Sequence, residues 1–65
     1  MITIGTRINV RLAGAGTVES FFFGHGRQRN LIKGAYVRTT TGTYPVKLAR
    51  GTVALVGNET HTVVI

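Results

Sequence analysis

The chain has 65 residues, eight Lys and Arg against two Glu, and no Cys, for a net charge of +6 and a pI near 11.4. A chain this short forms one domain with a small core, and the lack of cysteine excludes a disulfide or a thiolate metal site. His25, His61, Glu19 and Glu59 are the only other common ligand side chains, so neither a structural metal nor a cofactor is expected. Small chains usually need a staple, and self-association is the one left. An apolar content of 43% in so short a chain supports a homo-oligomer. Six of the eight cations are Arg, whose forked donors suit phosphate and carboxylate. Nucleic acid, RNA or DNA, or an acidic protein surface is the partner this charge points to, against the plain reading of solubility charge. Met1 to Gly5 is too short and uncharged for a signal peptide, and no apolar run reaches membrane-spanning length. A soluble, cytoplasmic protein is therefore expected.

No segment carries apolar residues at helical spacing, and ten Thr, nine Gly and frequent Val favour strands. Met1 to Ile4 can pair as a short first segment. Thr6 to Leu12 alternates, with Ile8, Val10 and Leu12 on one face and Arg7, Asn9 and Arg11 on the other. Ala13 to Gly16 reads as a small-residue turn. Thr17 to Phe23 follows, with Val18, Ser20 and Phe22 on one face and Glu19, Phe21 and Phe23 on the other. Both faces are apolar towards its end, which predicts a bulge or a second contact surface there. Gly24 to Lys33 reads as a loop without an acid.

Gly34 to Thr40 forms the next strand, Ala35 and Val37 facing one way and Tyr36 and Arg38 the other. Thr41-Gly42 is a hairpin signal. Thr43 to Leu48 then turns Tyr44, Val46 and Leu48 to one side. Pro45 cannot donate to a ladder, so that strand belongs at an edge or ends early. Lys47 to Gly51 fits one 3₁₀ turn. Thr52 to Val56, the turn Gly57-Asn58 and Glu59 to Ile65 complete the chain. The fold class is all-β. Five to seven short antiparallel strands in so few residues should curl into a small closed barrel.

The chemistry is thin for an enzyme. A nucleophile set would need Ser20 or a Thr with one of two His and one of two Glu. Glu59 and His61 share a strand face and read as a solvated pair. Gly24-His25-Gly26-Arg27 lacks the Gly-Lys-Ser/Thr ending and the helix of a phosphate-binding Walker loop. Binding has better material. Gly24 and Gly26 free backbone N–H groups to face an anion, with His25, Arg27, Arg29 and Lys33 around them. The alternative is a mobile, solvated loop. Arg7, Arg11, Tyr36, Arg38 and Lys47 form a basic surface with one aromatic in it if their strands are neighbours. Phe21 and Phe23 could stack on bases but fit a subunit interface better.

Gly5-Thr6-Arg7-Ile8-Asn9-Val10-Arg11, a glycine turn and Gly16-Thr17-Val18 resemble the opening of SH3-like barrels. Thr43-Tyr44-Pro45-Val46, a short turn and Thr52-Val53-Ala54-Leu55-Val56 resemble their last two strands, so the pattern covers about residues 5 to 56. KOW-type nucleic-acid modules and plasmid type II dihydrofolate reductases share this layout. The KOW resemblance implies RNA, DNA or ribonucleoprotein binding. The reductase family forms its site from Val-Gln-Ile-Tyr before Pro-Val; here Tyr44 matches, but Gly42 replaces the glutamine and Thr43 the isoleucine. The substrate-contacting groups are missing, and the activity is not carried over. The resulting expectation is a nucleic-acid-binding module that is not an enzyme. The alternative is a structural or protein-interaction accessory protein, of phage or mobile-element type, that assembles into an oligomer or larger complex.

Overall fold

The computed structural model describes residues 1–65. Six strands, β1 Arg7–Val10, β2 Gly14–Phe23, β3 Ile32–Thr39, β4 Gly42–Lys47, β5 Val53–Val56 and β6 Glu59–Thr62, form two antiparallel sheets. One is four-stranded in the order β1-β2-β3-β4; the other is the β5-β6 hairpin. The fold is all-β, but the sheets are not closed into a barrel. The N-terminal segment joins them instead. Ile2 pairs in parallel with Ala54; its N–H donates to Val53 O at 2.8 Å and its carbonyl accepts from Leu55 N at 2.7 Å. Three residues on, Gly5 N donates to Val18 O in β2 at 2.9 Å.

The buried apolar residues form two groups, Val18, Ala35 and Val37 in the large sheet, and Ile32, Leu48, Ala54 and Val63, which joins β3 to the small sheet. Ile2, Ile8 and Phe21 pack against both groups and make them one core. Removing these apolar surfaces from water is the main favourable contribution to the fold.

The triple-Phe segment is accommodated by two register shifts in the β2–β3 ladder. Val18 pairs with Val37 and Ser20 with Tyr36, so Glu19 is an extra residue in β2. Phe22 pairs with Gly34 and Phe23 with Ile32, so Lys33 is an extra residue in β3. Each inserted residue reverses the alternation of its strand. Val18, Phe21 and Phe23 thereby share the core face, whereas strict alternation puts Val18 with Phe22. The same device lets Ile32 face the core with Ala35 and Val37.

Several boundaries differ from the sequence reading, each for a physical reason. The first turn is Arg11–Ala13, closed by Ala13 N donating to Val10 O at 3.0 Å. Leu12 sits in it at φ 70°, fully exposed, and not on the face of Ile8 and Val10. Gly16 is a strand residue because a Cβ there would lie 2.6 Å from Arg38 O and Val37 Cγ1; the glycine serves close packing, not the turn. The hairpin loop is Thr40-Thr41, since Gly42 already pairs with Thr39. The chain's 3₁₀ turn is Gly26–Gln28, not Lys47–Gly51. In the latter region Thr52 N donates to Ala49 O at 3.0 Å across a β-turn with Gly51 at φ 92°. The final strand ends at Thr62.

Pro45 lies on an edge strand, as its missing donor requires. The hairpin register makes Thr39–Gly42, Val37–Tyr44 and Ala35–Val46 the hydrogen-bonded pairs. Thr43, Pro45 and Lys47 therefore turn their backbones outward, where a missing N–H costs no ladder bond. Gly34 is the tightest point of this sheet: a Cβ there would overlap both the Phe22 ring and Val46 O. Gly34→Ala is expected to lower stability by about 1–3 kcal/mol, read from the urea unfolding midpoint. An unchanged midpoint would contradict this packing.

Candidate functional site

The register places the basic residues of the large sheet on its outer face in three cross-strand rows. The first is Arg7, Thr17, Arg38 and Thr43; the second Ser20, Tyr36 and Pro45; the third Phe22, Gly34 and Lys47. Arg7 and Arg38 flank one intervening strand, about 10 Å apart between backbones, and the first and third rows are about 13 Å apart. Of the surface expected from sequence, Arg7, Tyr36, Arg38 and Lys47 are brought together. Arg11 is exposed in the β1–β2 turn, off the end of this face, because β1 stops at Val10.

Phe22 is the addition. With Glu19 bulged out, Phe22 faces outward with Ser20 and Tyr36, and its ring lies over Gly34. The Phe22 and Tyr36 centroids are 5.2 Å apart at 50°, within the range of favourable tilted aromatic pairs. Both apolar faces of the Phe21–Phe23 run were visible in the sequence; which Phe takes which face depends on the bulge. Phe21 and Phe23, expected at a subunit interface, pack against the core of their own chain and keep part of their surface exposed.

The β2–β3 connection, Gly24 to Leu31, is a compact loop. Gly24 N donates to Leu31 O at 3.0 Å, Gln28 N to His25 O at 3.0 Å and Leu31 N to Gln28 O at 2.9 Å. A Cβ on Gly24 would lie 2.8 Å from Gln28, so this glycine lets the loop close on itself. His25, Arg27 and Arg29 are exposed on it. Gly26, Arg27, Arg29 and Asn30 line an open depression with no apolar side chain in its wall. Lys33 belongs to β3 and is half-buried at the bulge, apart from this group in the chain's architecture.

Charge compensation is almost absent. The one close contact between a basic-type side chain and a carboxylate is His61 Nε2 to Glu59 Oε2 at 3.8 Å, so none of the eight Lys and Arg is matched to a carboxylate. His61 also meets Phe23 edge-on, with centroids 5.4 Å apart. This joins the small sheet to the core and leaves Glu59 exposed. Glu19 is exposed at its bulge. No helix is long and apolar enough to cross a membrane. No family model matches the chain, and no match was found among curated proteins or solved structures.

Proposed function

We infer that the chain binds nucleic acid through its phosphates, using the outer face of the four-stranded sheet and the Gly24–Leu31 loop. The observation that carries this reading is a set of cations without carboxylate partners on adjoining surfaces: Arg7, Arg38 and Lys47 on the face, Arg27 and Arg29 in the loop. Arg forks that make no ion pair within the chain suit an external anion, and phosphate geometry matches them. The resemblance of residues 5 to 56 to KOW-type modules has the same implication. The reading is of a binding module and not an enzyme: the chain holds only two carboxylates, Glu19 in β2 and Glu59 in β6, against eight Lys and Arg.

Each phosphate contact releases counterions, so affinity should fall steeply with salt. Arg7→Ala with Arg38→Ala, and separately Arg27→Ala with Arg29→Ala, should each flatten the plot of log affinity against log salt by about one to two units. All four residues are exposed, so the circular dichroism melt should stay close to that of the parent. If one pair alone flattens the slope, the site is confined to that surface. Absence of oligonucleotide binding at low salt removes the nucleic-acid reading.

One observation favours assembly as a second reading. Val53 and Val64 are exposed on the small sheet's side of the molecule, with Met1 74% exposed beside them through the Ile2–Ala54 bridge. The β6 edge is also free, Thr60 and Thr62 turning their backbones outward. A structural or interaction module would use this surface to self-associate. Sedimentation should then show a dimer or larger species at micromolar concentration, dissociated by Val53→Lys. A monomer at all concentrations rules that assembly out.

A further inference from the structure

We propose that the preferred ligand is a single strand, one of whose bases stacks on Tyr36. This rests on the nucleic-acid reading above and adds a base contact to it. Five aromatic residues are present, and four are committed within the chain. Phe21 and Phe23 pack against the core. Tyr44 lies on the inward-facing side of β4, and its hydroxyl is 2.9 Å from Thr41 Oγ1. Phe22 is folded across Gly34. Tyr36 is the most exposed of the five, at 39%, in the middle row of the basic face.

Its surroundings suit a flat ligand. The cross-strand residues in register with the ring are Ser20 and Pro45, both short and uncharged, while Glu19, the extra residue of the bulge, is exposed next to Ser20. Phe22 backs it from the next row at 5.2 Å, limiting the orientations it can take. Arg38 lies two residues along the same face and Lys47 in the Phe22 row, so cations stand on both sides. A row spacing of about 7 Å puts a phosphate contact within reach of a nucleotide whose base covers Tyr36. Aromatic platforms between backbone-tracking cations are how single strands are held without sequence preference. A duplex keeps its base faces stacked internally and can offer this ring only its backbone.

The test compares fluorescein-labelled oligothymidylate, oligouridylate, an abasic strand of equal phosphate number and a duplex, by anisotropy at fixed low salt. Thymidylate or uridylate is expected to bind about 5- to 100-fold more tightly than the abasic strand. Tyr36→Ala should close that gap, and Tyr36→Phe should keep it. The chain has no Trp, so in Tyr44→Phe the remaining tyrosine emission comes from Tyr36. It should be quenched by thymidylate and not by the abasic strand. This readout needs no change at Tyr36 itself. Equal binding of abasic and base-bearing strands without quenching would overturn the stacking proposal while leaving the phosphate reading intact. Failure of all four probes to bind would remove both.

Discussion

The β2–β3 ladder has to place three consecutive Phe residues in a sheet that buries only one face. A regular strand would send Phe22 inward with Val18 and leave Phe21 and Phe23 on the solvent side. Burial of a Phe side chain contributes about 1.5–3 kcal/mol, so that arrangement exposes two such groups to bury one. Bulging Glu19 out of β2 reverses the balance. Phe21 then reaches both halves of the core, Phe23 reaches the half shared with the small sheet, and only Phe22 is turned out. The inserted residues, Glu19 and Lys33, are charged and tolerate a position outside the ladder better than an apolar residue would.

The outer face depends on the same shift. Phe22 has no core to enter, and Gly34 opposite it offers a site without Cβ where the ring can lie. Tyr36 leans on that ring. Tyr36 thus occupies the middle row of a face that carries Arg7 and Arg38 in its first row and Phe22 and Lys47 in its third. With only two acids in the chain, and one of them held near His61, these charges meet no internal partner. Exposed ion pairs contribute little to stability in any case. The cations are therefore free for an outside anion at small cost to the fold, which links the unbalanced composition to the proposed function.

Much of this was legible in the sequence because it depends on period two and on donor counting. The alternation of Ile8 and Val10 against Arg7 and Asn9, of Ala35 and Val37 against Tyr36 and Arg38, and the edge position of Pro45 all come from local chemistry. The apolar character of both faces near Phe23 also pointed to a bulge. Sequence did not settle where the extra residue falls, since any position from Glu19 onward changes the parity of the remaining strand. Phe22 could not be assigned to the basic face without it. Gly14 and Gly16 have the composition of turn residues, but they lie in β2, and the need for Gly16 arises from a strand distant in sequence. The 3₁₀ turn at Gly26–Gln28 likewise depends on Gly24 closing against Gln28. The early turn after Val10 takes both Arg11 and Leu12 out of the alternation that their strand pattern implies.

The core and the basic face both depend on which Phe faces which side of the sheet. Proton nuclear Overhauser contacts from the assigned Phe rings decide it. The Phe22 ring should show contacts with the Tyr36 ring and the Gly34 α-protons, and the Phe21 ring with methyl groups of Ile2 and Ile8 in the core. Contacts from Phe22 to the Val18 and Val37 methyls, with Phe21 against Tyr36, would mean that Glu19 is not bulged. That result would contradict both the core and the basic aromatic face described above.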